Sequence, residues 1–153
     1  MVGKGKYYES QFEEATIELL RESHWQYTFG DDIHRKYTDP LIEEDLRTFL
    51  AAQYKDKKLT ASEVDGIVAN LRNTGGQNDY YALQNTFLLY RDGYDFTYNE
   101  RRGNPFRLQY IDFEHPDHNI FRCVNQFVME QGRENRRPTS CFSQRHTGLH
   151  HRA

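Results

Sequence analysis

Phe106-Arg107-Leu108-Gln109-Tyr110 alternates apolar with polar side chains, so an extended chain here has one apolar and one polar face. This stretch decides the fold class, because the residues before it repeat with a different period. Tyr94-Asp95-Phe96-Thr97-Tyr98 has the same period of two, and a turn around Arg102-Gly103-Asn104-Pro105 joins the two runs. A loop follows at 115–119 (His-Pro-Asp-His-Asn). From Ile120 to Met129 comes a longer run of Phe, Val and Cys, apolar on both faces, as a central strand requires. Such a strand needs a neighbour on each side. The residues that follow it do not read as one.

Upstream, the period is helical. In 10–22, Phe12, Ala15, Leu19 and Leu20, with Thr16 between them, form an amphipathic stripe, and Ser10 with Glu13 fits a capping box at its start. A loop containing Gly30-Asp31-Asp32 follows. Asp39-Pro40 reads as the N-cap and first residue of a second helix, with Ile42, Leu46, Phe49, Leu50 and Gln53 on one face. Thr60-x-x-Glu63 is a further capping box, followed by Val64, Ile67, Val68 and Leu71 and ended by Gly75-Gly76. A fourth helix is predicted over 79–91. The fold class is therefore α+β: N-terminal helices followed by a small antiparallel or mixed sheet.

The chain has 153 residues, of which 37% are hydrophobic, enough for one domain but not for a motor or polymerase. No window approaches a membrane span, and Met1–Ser10 lacks the apolar stretch of a secretory signal, which excludes membrane and secreted classes. Two cysteines, Cys123 and Cys141, make no disulfide framework, so the expected location is the cytoplasm. Charge is uneven. Residues 132–153 carry five arginines against Glu134, whereas 1–131 carry 15 basic and 22 acidic residues. That asymmetry sets a basic tail apart from an acidic body.

Spacing alone identifies no chemistry. His115-x-x-His118 straddles a proline turn and cannot share a helix face as zinc-site histidines usually do, so no metal site is expected. His24 and His34 are isolated, and neither cysteine has a nucleophile motif around it. Gly75-Gly76 lacks the Lys-Ser/Thr of a phosphate loop. Glu13, Glu14, Asp31, Asp32 and Glu43-Glu44-Asp45 read as solvated faces or caps.

An ordered set of short motifs is more specific. Glu9-Ser10-Gln11-Phe12-Glu13-Glu14-Ala15 opens the chain. Later come Ile111-Asp112-Phe113-Glu114-His115-Pro116-Asp117-His118-Asn119-Ile120-Phe121, Asn125-Gln126-Phe127 and Arg136-Arg137-Pro138. The set spans 9–138 and resembles the N-terminal region of the restriction (R) subunit of type I restriction–modification enzymes. The resemblance implies an incomplete nuclease domain of the PD-(D/E)xK kind at 1–138, and a non-native-looking tail at 139–153.

In that family an aspartate follows Arg-Arg-Pro, then an Asn-Gly-(apolar)-Pro turn, then a strand ending in Glu-x-Lys. The Asp and Glu hold Mg2+, which neutralises the scissile phosphate and activates water. A first-helix glutamate completes the site, and Glu13 matches it. Arg136 and Arg137 are the expected contacts to DNA phosphates. The intact parent would cleave double-stranded DNA, translocate it with ATP-driven motor domains, and assemble with modification and specificity subunits. Here the departure is severe: Thr139 stands at the aspartate position, and no Glu-x-Lys follows. This chain is therefore expected to be inactive, with no metal ligand set of its own. The alternative is a non-catalytic protein-interaction module built on a nuclease-like first half, with its aromatic residues supplying an interface. A strand at 120–129 lacking its partners would also leave an edge open to pairing between copies.

The genetic code offers an explanation for the tail. Read one base out of frame, codons for Gln144–Ala153 permit Asn-Gly-Ile-Pro-Val-Cys-Ile-Ile-Glu-Leu, the absent turn and strand of the family. Sequencing the coding DNA tests this: the account expects codons that spell Asn-Gly-Ile-Pro in a shifted frame. Codons that cannot do so would sink it.

Overall fold

In the computed structural model, which describes residues 4–39, 41–74, 79–99, 103–131, 134–136 and 140–143, the clearest helix signal of the sequence is met atom by atom. Thr60 Oγ1 accepts the Glu63 N–H at 3.2 Å, and the Glu63 carboxylate accepts the Thr60 N–H at 2.9 Å. This reciprocal cap starts helix α3 (Ala61–Arg72). The other helices are α1 (Lys4–Glu22), α2 (Glu43–Gln53) and α4 (Asp79–Asp92). The strands are β1 (Gln26–Phe29), β2 (Tyr94–Phe96), β3 (Phe106–Leu108), β4 (Phe121–Asn125), β5 (Met129–Gln131), β6 (Glu134–Arg136) and β7 (Ser140–Ser143). The class is α+β, as expected. None of the described helices is long and apolar enough to cross a membrane.

Two compact units form, Met1–Ile42 with Ile120–Ala153, and Glu43–Asn119. In the second, α2 packs on α3 through Leu46, Phe49, Leu50, Ile67, Val68 and Leu71, all buried. Each such side chain contributes roughly 1.5–3 kcal/mol by leaving water. Arg47 and Arg72 also clasp Glu43 between these helices. The hairpin of β2 and β3 pairs antiparallel, Tyr94 opposite Leu108 and Phe96 opposite Phe106. Gly93 enters it at φ 66°, where a Cβ would lie 2.0 Å from the Leu108 carbonyl oxygen, so only glycine fits. The fully buried Tyr110 donates its hydroxyl to the Ile67 carbonyl at 2.8 Å.

The first unit is built on β4. β1 runs parallel to it, Gln26 to Phe29 opposite Arg122 to Asn125, and β7 runs antiparallel on its other side. Val124, Phe127 and Ile42 form the core here, with Ile33 against them. The Arg35 guanidinium lies 3.6 Å over the Phe127 ring and donates to the Asp39 and Val128 carbonyls. β5 and β6 make a separate ribbon.

Several expectations change. α1 starts at Lys4, so Ser10 and Glu13 lie inside the helix and do not cap its start; with no proline before them, nothing halts the helix there. Its expected apolar stripe is also rotated. Phe12, Ala15 and Leu19 are exposed, and Glu13, Ile17 and Leu20 are the half-buried face. α2 begins at Glu43 because Asp39 closes a turn on the Leu41 N–H (3.0 Å) and starts no helix itself. The run 120–129 breaks at Gln126, whose φ of 58° ends β4. β1 and β7 were not foreseen. Because both pair with β4, the open edge expected on that strand does not exist. α3 ends at Arg72, with the Asn73 N–H on the Ala69 carbonyl at 2.9 Å, short of the expected Gly75-Gly76, which lie outside the described residues.

Candidate functional site

Rotation of α1 brings Glu13 to the half-buried side of the helix, one turn from Ile17. With Ser10, Glu14, Ile17, Glu18, Arg21, Tyr27 of β1 and Asn125 at the end of β4, it lines a cleft of about 440 Å³. The helix reaches the sheet through a tight exit. His24 takes a left-handed conformation (φ 65°), the Trp25 N–H bonds the Leu20 carbonyl at 2.9 Å, and the His24 N–H bonds Arg21 at 3.0 Å. This is the six-to-one and five-to-two pattern of a Schellman cap, and it gives His24 a backbone role. Trp25 then packs at a tilt against Phe121, 5.2 Å between centroids.

The cleft is acidic, with Glu13, Glu14 and Glu18 against Arg21, whose guanidinium sits 4.5 Å over the Tyr27 ring. Gln126 Nε2 lies 3.5 Å from Glu13 Oε1. Asn125 Oδ1 is a buried acceptor with no hydrogen bond. The carboxylate and this amide oxygen are hard donors, of the kind Mg2+ prefers. They amount to part of a shell. Of the two arginines expected on DNA, Arg136 ends β6 opposite Met129, and Arg137 lies outside the described residues. Glu13 and the arginines are thus not shown to converge.

A second cluster was missed. Asp112 is 6% exposed, yet charged. Its Oδ1 accepts the N–H groups of Glu114 (3.1 Å) and His115 (2.8 Å), and its Oδ2 accepts Gln53 Nε2 (2.8 Å) and meets His118 Nδ1 (2.9 Å). Asn119 closes the loop. Its Oδ1 accepts the Asp112 N–H, and its Nδ2 donates to the Asp112 and Pro116 carbonyls. Burial opposes the charge on Asp112, but the His115 N–H, the Gln53 amide and His118 outweigh it and hold the carboxyl down at about 2, against an ordinary 3.8. The two histidines do meet, though not on the face of a regular α-helix. Residues 116–118 form a 3-10 turn, in which positions three apart eclipse. The His115 and His118 rings consequently stack at 5.0 Å. The signal was the Asp-x-x-x-Pro-x-x-Asn spacing itself, an acceptor and an amide placed to cap one turn.

Compared with known proteins, the chain matches the family model described as type I restriction enzyme R protein N terminus over residues 6–139. No curated protein matches it, and no solved structure does.

Asp112→Ala should lower stability at neutral pH by about 2 kcal/mol, since a buried charged acceptor and its bonds are lost. Because the carboxyl is depressed in the folded state, its contribution is present above about pH 4 and fades as the pH falls through 2. Urea unfolding at several pH values checks this: the gap between the two proteins should close in acid. A gap that persists unchanged at pH 2 would refute it.

Proposed function

The chain belongs to the type I restriction enzyme R protein N-terminus family, and from that premise we propose that it carries the first part of the subunit's DNA-cleaving domain, with Glu13 as the first-helix carboxylate. The observation that carries this reading is the family match over 6–139, which runs through every motif from the Glu13 helix to Arg136-Arg137-Pro138. Its end at residue 139 also supports a boundary near 138 between family sequence and tail. The half-buried position of Glu13, in a cleft shared with the unsatisfied Asn125 oxygen, supports a role beyond helix solvation.

When bound, Mg2+ would supply charge neutralisation at phosphate and an activated water. Glu13 and Asn125 are the residues of this chain that would hold it. Two carboxylates and a lysine complete the pattern in the family, and the sequence supplies none of the three after Pro138. The chain as it stands is therefore inactive. Its cleft works against substrate as well, because three glutamates facing one arginine repel a polyanion. Arg136 and Arg137 are the residues best suited to touch backbone phosphate, each neutralising one charge. Cleavage of double-stranded DNA, ATP-driven translocation, assembly with modification and specificity subunits, and a cytoplasmic location belong to the intact parent in this reading.

A non-catalytic interaction module draws support from α4, where Tyr80, Leu83 and Phe87 are exposed at helical spacing. It calls for a stable oligomer in light scattering, which the nuclease reading does not.

Incubation with supercoiled plasmid and Mg2+ tests the proposal. We expect no nicking or linearisation, and the same result for Glu13→Ala. Reproducible linearisation by the parent chain that disappears in Glu13→Ala would overturn the claim of inactivity.

A further inference from the structure

We propose that Asp112, His115 and His118 form a binding site for a late first-row divalent cation, with Zn2+ the best fit. One ligand atom from each residue lies within 4.8 Å of the others. Asp112 Oδ2 is 2.9 Å from His118 Nδ1 and 3.6 Å from His115 Nδ1. These bracket the separation of about 3.3 Å between ligands bonded tetrahedrally to Zn2+ at about 2.0–2.1 Å. The third pair, His115 with His118, lies within the same 4.8 Å, and closure onto an ion requires the two stacked rings to turn toward each other.

Donor chemistry selects the ion. Two imidazole nitrogens and one carboxylate oxygen suit Zn2+ and its neighbours, whereas Mg2+ and Ca2+ want oxygen shells. The site is also braced. Oδ1 is committed to two backbone N–H groups, which fixes the plane of the carboxylate, and Gln53 Nε2 holds Oδ2 from one side. An outer partner of this kind orients a metal-bound carboxylate. The carboxylate is buried, while His115 and His118 are 64% and 55% exposed, so a fourth position faces water. Three protein ligands plus an open position is an arrangement of Zn2+ sites. The cluster is independent of the nuclease reading, and no step proposed above uses it.

The test is titration of the full chain with Zn2+ by calorimetry, and with Co2+ followed by its visible absorption. The three tail histidines, His146, His150 and His151, are the competing source of binding and are replaced together by Ala as a control. We expect one equivalent per chain in both the parent and this triple variant. His115→Ala or His118→Ala should weaken binding at least about 10-fold, and Gln53→Met by about 10-fold through loss of the outer partner. His115→Ala should unfold at the same temperature as the parent in chelator, whereas His118→Ala, which also loses its contact to Asp112 Oδ2, should unfold lower; of these only the parent should be stabilised by Zn2+. Absence of binding to the parent, binding lost with the tail histidines, or undiminished affinity in His118→Ala would each overturn the proposal.

Discussion

The first unit depends on the parallel pairing of β1 with β4. Parallel neighbours cannot be joined by a tight turn, so the chain must leave the sheet and return. Here the excursion from Phe29 to Phe121 contains the whole of the Glu43–Asn119 unit. That unit is thus an insertion in a crossover, with its own core around Leu46, Phe49, Ile67 and Tyr110. Closing so long a loop is entropically costly, and local contacts must hold the closure. Three do so. Trp25 packs against Phe121, Arg122 Nη1 donates to Thr28 Oγ1 at 2.6 Å, and Gly30 lets the chain pass the Gln126 carbonyl. A Cβ at Gly30 would stand 2.2 Å from that oxygen, which leaves no room for another residue.

Elements whose signals are local were legible in the sequence. Thr60 and Glu63 fixed the start of α3, and the apolar face of α2 was read correctly down to Gln53, whose polarity is explained by Asp112. The hairpin of β2 and β3 followed from its alternation. β1 and β7 were missed because neither sits in an alternating run as long as the five residues at 94–98 or 106–110, and their stability comes from pairing with β4. The rotation of α1 was hidden as well. Phe12 and Leu19 look like a buried stripe by hydrophobicity, but helix phase is set by the partner surface, which a single sequence does not describe.

The two clusters differ in how they could be read. Glu13 has no distinguishing local signal, since an acid on an amphipathic helix is usually solvated, and only the family motif singled it out. Its structural setting adds what the motif lacked, a half-buried face on a cleft that Asn125 also lines. Asp112 was visible as part of a motif but its work was not. The block from Ile111 to Phe121 is a self-capped loop: one carboxylate takes three donors and meets His118 Nδ1, and one asparagine ties the ends. Part of the resemblance therefore has a folding role. His115 and His118 were set aside because a proline turn separates them and keeps them off one helix face. The 3-10 turn, which proline at its first position favours, supplies a different geometry that brings them together.

The account stands on β4 as an interior strand closed against β1 across the insertion. Backbone amide hydrogen exchange followed by NMR tests this most directly, because exchange from a central strand requires opening of the whole unit. The account predicts that the amides of Arg122, Cys123 and Val124 are among the slowest of the unit, with cross-strand contacts between Thr28 and Val124 in parallel register. Amides there that exchange as fast as those of the loop at 113–118, or an absence of contacts from β1, would contradict it.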